Sequence, residues 1–585
     1  MTNVRTSLIV IFLVLLSISS QGKDVDIIRA GRVASLFFQR NDPARGSDVV
    51  LQSRTDFMYI YVRKTGGFVI VSASDAARPV LGYSYTESLD CCGDGAFKEW
   101  MQDMGEQIAC CRESSSEADS RVSAMWTAAE VSTKADNSLK PQVKHETALW
   151  NQTEPFNKYT PVVDGEKSVT GCGPLSMAIL MRFYEWPPKG SGTLLSYTYT
   201  SEKGTSCHQA GHELGHEYDW SKMKMSYQAG QYSEEEADAA ARLIYDCGVM
   251  AKASFGRSTA VNLPDIASSM IEHMGYDAGI NYYYKGYFSN DVWEDMLKKE
   301  LQDHPIIYRG RTATIGHIFI IDGYDTDGHF SVNWGKGGTN NGYFALDAMI
   351  YGNTSYNLEQ AAFFSLKPDQ GGLPLRYLAY EAGTYSGQQY DGIELVSGKI
   401  AANEVFTVKT GLRNCGLDTF DGEIIVALLS ADGTVKELVS DPVEFKSLNT
   451  RLWRGIPSIS CCIKGNLENG DRICVLFRYD GEKQWRPALA NREKSVTGFI
   501  EFKDECNLAK ASSIRYDKAK DTFTIKTKPG ASCKLLKADG SQVDGAVSFA
   551  DGAFVIKPST LPKKEYKLLI ELGDESFGFS LTMGK

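Results

Sequence analysis

Of the 13 cysteines in the 585-residue chain, Cys172 is the one best placed for chemistry. It stands between Gly171 and Gly173, ahead of Pro174 and the run from Leu175 to Trp186. Leu175, Met177, Ala178, Leu180, Met181 and Tyr184 include strong helix formers and recur at spacings of three and four, which predicts a helix. Pro174 suits a first turn, where a missing N–H costs nothing, and Pro187-Pro188 supplies the stop. A cysteine at that helix start meets unpaired backbone N–H groups and the positive end of the dipole, both of which favour a thiolate. Taken alone, the stretch reads more often as a buried structural cysteine.

A nucleophilic cysteine needs a base. His317 opens Gly316-His317-Ile318-Phe319-Ile320-Ile321-Asp322-Gly323, an apolar run that reads as a core strand. A polar ring there is costly unless it has a partner. Asn333-Trp334 follows at the end of the next strand, at a separation from which a hairpin returns. Asn333 is expected to accept the imidazole N–H and fix the tautomer, with Trp334 shielding that bond from water. Upstream, Gln152 lies in Trp150-Asn151-Gln152-Thr153-Glu154-Pro155-Phe156-Asn157. Its amide and the Cys172 backbone N–H would form an oxyanion hole.

The elements that must hold these residues fall in a region spanning 145–368. After the Cys172 helix comes a loop-rich passage to Tyr218, then a helix starting at Ser233 with Glu236 as a capping box. Leu263 to Met274 and Asp291 to Leu301, the latter capped by Asn290, read as two more helices. The period then changes to two, with strands at Ile306 to Tyr308, His317 to Ile321, Phe330 to Trp334 and Tyr343 to Leu346. Helices followed by a sheet indicate an α+β domain of two lobes.

Residues 23–111 read as a small α+β module, with strands Phe57 to Val62 and Gly67 to Ser72 and a helix from Asp94 to Cys110. Residues 112–144 are rich in Ser, Glu, Asp, Lys and Thr and read as a linker unable to repay its own ordering entropy. Residues 374–501 and 502–585 read as two β-sandwiches. Ahead of everything, Arg5 and the apolar run Leu8 to Leu16 form a signal peptide over 1–22, so a secreted, periplasmic or cell-surface protein is expected. No later stretch approaches a membrane span, and a net charge of -11 with no basic run argues against nucleic acid. Few or no essential disulfides, and no cofactor, are expected.

The order Trp-Asn-Gln-x-x-Pro-Phe-Asn, Thr-Gly-Cys, Gly-His-Ile-Phe-Ile-Ile-Asp-Gly-Tyr and Val-Asn-Trp-Gly-x-Gly-Gly resembles the streptopain family of papain-like cysteine proteases. Phe68-Val69-Ile70-Val71-Ser72 and Pro79 to Ser84 are similar to pieces of that family's inhibitory propeptide. The resemblance implies a papain-like two-lobed fold and a zymogen whose prodomain, an intramolecular inhibitor, is cut away around Lys134 to Glu146. It also implies Cys172 as nucleophile, His317 as base and then acid, Gln152 as oxyanion donor, Asn333 and Trp334 beside the histidine, and peptide or protein substrates with an apolar P2 side chain. Two departures bear on specificity: Gly173-Pro174 after the nucleophile, and Lys336 where the family has a second tryptophan. The C-terminal sandwiches suit binding, anchoring or secretion, including contact with a cell surface or with host proteins, or else serve as stabilising appendages.

Three other readings compete. His212-Glu213-Leu214-Gly215-His216 matches the zinc-protease pattern, which needs its two histidines one turn apart on a rigid helix. With Gly211 and Gly215 and little apolar support it is the weaker reading, and adventitious metal binding by His208, His212 and His216 is a little stronger. An intact fold that only binds peptides or surfaces, or an acyltransferase using the same thioester chemistry, completes the set.

Overall fold

Asp26 accepts the backbone N–H groups of Ile28 and Arg29, and α1 (Ile27–Asn41) grows from that cap. Its apolar face, Ala30, Val33, Ala34, Phe37 and Phe38, is wholly buried. No element was predicted from the sequence here. The structure is a computed structural model that describes residues 24–583 except 92–95, 114–119, 132–138, 312–315, 348–359, 495, 503–511, 539, 551, 563 and 573–574. The signal peptide expected over 1–22 lies outside the described residues.

Strands β1 (Val49–Arg54), β2 (Met58–Arg63), β3 (Phe68–Ser72) and β4 (Val80–Ser84) form an antiparallel meander. Every residue of β3 is buried, because its two faces serve two cores. Val69 and Val71 pack in the α1 cluster. Phe68 and Ile70 join a second cluster with Trp100 and Met104 of α2 (Ala96–Glu113). This is the period of two used on both sides of one strand.

The linker expected over 112–144 is partly ordered. α3 (Ser120–Ala129) buries Val122, Trp126 and Ala129, an apolar stripe at spacings of four and three, in the α1 cluster. The Trp126 indole N–H donates to the Ala77 carbonyl at 2.8 Å, and Arg29 lies 4.5 Å from the centre of that ring. Three apolar side chains repay the ordering of one short helix only because α1 is there to receive them. β5 (Pro141–Lys144) then pairs with a strand of the catalytic region.

In that region α4 (Cys172–Tyr184), α5 (Glu234–Met250) and α6 (Leu263–Met274) build a helical lobe around one apolar cluster. The Ser233–Glu236 capping box opens α5 as the sequence predicts. The cap of α7 (Asn290–Glu300) is Ser289, not Asn290; its hydroxyl accepts the Val292 N–H, which moves the start back one residue. Strands β6 (Asn281–Tyr284), β7 (Ile306–Arg311), β8 (Gly316–Asp325), β9 (Phe330–Asn333), β10 (Gly342–Phe344) and β11 (Ala361–Phe364) form the second lobe.

The two regions are one sheet. Its order is β1-β2-β3-β4-β10-β9-β8-β7-β11-β6, with β5 pairing β8, so the N-terminal meander extends the catalytic sheet through β4 and β10. At the junction Gly82 faces Phe344, and a Cβ there would lie 2.5 Å from the ring. The module is an α+β layer added to the second lobe by main-chain pairing.

Beyond the catalytic region, strands including Val405–Asn414 and Trp453–Cys462 face a second sheet built on Phe420–Leu429 and Arg472–Tyr479. Their shared core holds Phe406, Val408, Val426 and Phe477. Tyr377 at its start packs tilted against Tyr283 of β6 with centroids 5.3 Å apart, and Arg451 pairs with Asp265 of α6 at 2.9 Å. The last segment, from Ser513, forms two further small sheets around Ile525, Leu535, Leu568 and Ile570.

Candidate active site

Cys172 is the first residue of α4, following Gly171 at φ 87°. A Cβ at Gly171 would lie 2.7 Å from the Thr259 methyl, so both the left-handed backbone and the close neighbour require glycine. Gly173 has a similar reason. A Cβ there would lie 2.3 Å from Val261 Cγ2, so Val261 fills the cleft wall where a side chain would otherwise stand. The unusual Gly173-Pro174 pair is therefore matched by Val261, and Pro174 is buried in the first turn.

Gln152 is held beside this helix through its backbone. Its carbonyl accepts the Thr170 N–H at 3.0 Å, two residues before the nucleophile. The Trp150 carbonyl accepts the Gly337 N–H at 3.0 Å, which joins the glutamine loop to the turn after Trp334. The Trp150 ring is fully buried and its N–H donates to Lys224 O at 2.7 Å. His317 sits near the start of β8, in the expected strand. Gln152, Cys172, His317 and Trp334 line one cleft of about 830 Å³ between the lobes.

Asn333 does not complete the histidine pair in the expected way. In the β8–β9 register it faces Ile320, three residues past His317. Its amide donates to Thr147 Oγ1 and the Ala148 carbonyl, each at 3.0 Å, and its oxygen accepts the Gly335 N–H at 3.1 Å. The side chain is committed to the segment leading to Gln152. Trp334 likewise shields no histidine–asparagine bond. Its indole N–H donates to the Asn340 carbonyl at 2.9 Å, and its ring packs on Phe319 and Phe344.

What covers the cleft is α2. Its Ala96, Phe97 and Glu99 line the same cavity as Cys172 and His317. Phe97 packs edge-on against Trp334 with centroids 6.0 Å apart, and the Trp100 N–H donates to the Ala345 carbonyl at 2.9 Å. The surrounding protein partly desolvates the two side chains, and their ionisation follows. Burial pushes the Cys172 thiol above its ordinary value, although the Ile318 N–H opposes this. Burial likewise pushes His317 down to about 4, and its Nε2 is buried with no hydrogen-bond partner. The helix terminus was expected to favour a thiolate; desolvation outweighs it here. With α2 in place burial favours the neutral thiol and the neutral imidazole.

The zinc-protease string is not helical. His212 and Glu213 form a two-residue strand against Leu194 and Thr193. Both histidines turn to one buried carboxylate: His212 Nε2 lies 2.8 Å and His216 Nε2 2.9 Å from Asp246 of α5. The Tyr218 hydroxyl donates to the same group at 2.8 Å. Burial raises the Asp246 carboxyl, but these three hydrogen bonds and the nearby charge outweigh it and hold it below its ordinary value. The string pins the long loop to α5, and no group of His, Cys, Asp and Glu among the described residues is placed to hold a metal. Asp246→Ala strands two imidazoles and a phenol, and should lower stability by about 3 kcal/mol. Calorimetry with and without a chelator checks this: the variant should melt earlier, and the chelator should shift neither protein.

Cys172, Cys207 and Cys247, the cysteines of this region, are all free thiols. A two-lobed α+β fold with a cysteine at a helix start on one wall and a histidine on a strand of the other defines a papain-like cysteine protease.

The Peptidase C10 family matches residues 150–344, and the Spi protease inhibitor family matches residues 22–108, the segment that carries α1, β1–β4 and most of α2. Streptopain of Streptococcus pyogenes serotype M1 is 30% identical over 335 residues, covering 53% of this chain and 81% of streptopain. The thiol protease/hemagglutinin PrtT of Porphyromonas gingivalis is 25% identical over 493 residues, covering 78% of this chain; the chain spans 54% of that relative's length. Among solved structures, a prointerpain A fragment of Prevotella intermedia is similar at 25% identity and a TM-score of 0.42, over 55% of this chain and 98% of that one. The chain belongs to the Peptidase C10 family and is a cysteine protease.

Sequence reasoning did not single out Asp90, Glu99 or Asn340. Lys336 departs from the family pattern, but nothing nearby in the chain points to its partner.

Proposed function

We propose that the protein is a secreted cysteine endopeptidase made as a zymogen, with residues 23–111 as its own inhibitor. The observation that carries this reading is the cleft itself: Gln152, Cys172 and His317 share it, and Phe97 and Glu99 of the inhibitor-like module line it too. Removal of α2 would let water back in, and the thiol and imidazole could then exchange a proton. The Cys172 thiolate attacks a peptide carbonyl, and the Gln152 amide with the Cys172 N–H holds the oxyanion. His317 gives its proton to the leaving amine, and water hydrolyses the acyl-enzyme. Asn333 positions the Gln152 segment, and Trp334 walls the cleft.

Processing falls on the N-terminal side of β5, because β5 is paired with β8 and a later cut would have to open that pairing. An apolar P2 side chain and contacts of the C-terminal sandwiches with a cell surface or host protein complete the proposal. The test incubates full-length protein with casein and a thiol, with a cysteine-directed epoxide or a chelator in parallel. Cleavage should stop with the epoxide and continue with the chelator. The reverse pattern would remove Cys172 from the mechanism.

A further inference from the structure

The N-terminal module touches the cleft a second time, just ahead of α2 in the chain. Asn340, 1% exposed, holds the backbone of Asp90 by both of its polar ends. Its Oδ1 accepts the Asp90 N–H at 2.6 Å and its Nδ2 donates to the Asp90 carbonyl at 3.1 Å. The Asn340 backbone N–H adds a bond to the Ser88 carbonyl at 3.4 Å. The Asp90 side chain meanwhile lies 2.9 Å from the Lys336 ammonium. One buried amide thus pairs with both main-chain groups of a residue, and one cation takes that residue's carboxylate.

Both Asn340 and Lys336 also line the cleft that holds Cys172 and Gln152. The Asn340 carbonyl anchors the Trp334 indole, so the clamp is rigidly connected to the cleft wall. If the module leaves, a buried amide loses a donor and an acceptor and Lys336 loses its counter-ion. Groups in that state favour whatever ligand restores the same bonds.

We infer that Asn340 and Lys336 form a substrate subsite that takes an aspartate or glutamate of an extended peptide, and that Asp90 occupies it in the full-length protein. The Asn340 amide recognises the main chain of any residue, and Lys336 selects the acidic side chain. A tryptophan at 336 could not make that selection, so the departure from the family pattern becomes a determinant of specificity. This inference rests on the protease reading above.

The test uses full-length protein preincubated with thiol until no further processing occurs. It is presented with fluorogenic peptides that vary Asp, Glu, Asn, Gln and Lys at each position flanking one scissile bond. At one position the wild type should cleave the acidic peptide with a kcat/KM about tenfold above its amide counterpart. Lys336→Met should bring that ratio close to one, and Lys336→Glu should favour lysine at the same position. An epoxide-sensitive activity with no acidic preference at any position, or a preference that survives in Lys336→Met, overturns the subsite and leaves the protease reading standing. Absence of any epoxide-sensitive cleavage overturns both.

Discussion

Cys172→Ala is expected to abolish peptide hydrolysis, with a loss on the order of 10⁵-fold or more, because no other group in the cleft can form the acyl-enzyme. The same change should stop the chain from processing itself. Wild-type protein incubated with thiol should lose its N-terminal module and run shorter by about 110 to 120 residues beyond the signal peptide, whereas the variant should stay intact. Stability is not at issue. The thiol is neutral, and its loss removes one small group from a half-buried helix start, a cost of about 1 kcal/mol. Mass spectrometry of both proteins after thiol treatment, with circular dichroism to verify the fold, measures the effect. Identical processing in the variant would mean that another protease makes the cut, and an active but unprocessed wild type would rule out the zymogen.

The second large effect is on pH. Two carboxyls of α2 are raised in the closed protein, Glu99 to about 7 and Asp103 to about 8, each mainly by burial. Glu99 faces the cleft of Cys172 and His317, and Asp103 lies near Asp347, Glu106, Lys285 and Gln107. Once α2 lifts away, both should return to the usual carboxylate range near about 4. The closed state therefore binds more protons between those limits, and its hold on the cleft weakens as pH rises from about 4 to about 8.

His317 acts in the opposite direction. It sits near about 4 when closed and would return to about 6.5 when open, so below that value acid favours opening. From about 4 to about 6.5 the histidine offsets one of the two carboxyls, leaving up to about tenfold of weakening per pH unit. Above that only the carboxyls act, and the hold levels off near pH 8. Solvent reaching the part-exposed Glu99 reduces its share, so the expected overall change is on the order of 10²-fold to 10³-fold. Hydrogen exchange of the α2 amides in full-length Cys172→Ala protein, corrected for the intrinsic rate at each pH, reads this directly. With Glu99→Gln and Asp103→Asn together only the histidine remains, and the hold should tighten between pH 4 and 6.5. An unchanged profile in that double variant would show that these carboxyls do not govern release.

Much of the catalytic reading was legible from residues close together in the chain. The periodic apolar residues and Pro174 place Cys172 at a helix start, the apolar run after His317 makes a strand, and Ser233 with Glu236 caps α5. Such signals are local: a helix face or a cap is decided within a turn or two of the residue that shows it. The family pattern added Gln152, and the structure brings it to the same cleft. The zinc-like string shows the limit of the same method. Its spacing fits a helix, yet the residues around it form a strand, and a carboxylate 34 residues away takes its first imidazole.

The remainder depends on pairings that no local pattern encodes. Asn333 bonds to Thr147 across 186 residues, and Lys336 to Asp90 across 246. α3 exists because α1 offers a surface for Trp126, and β4 becomes a neighbour of β10 through main-chain bonds that leave little trace in side-chain type. Desolvation is the clearest case. A cysteine at a helix N-terminus reads as a thiolate until the fold around it desolvates the sulfur, and here burial raises the thiol while α2 lines the same cleft. Residue types and their spacing were enough to place Cys172 at a helix start and His317 near the start of a strand. That burial favours the neutral form of both groups, in a cleft lined in part by a module far away in the chain, is a property of the assembled fold.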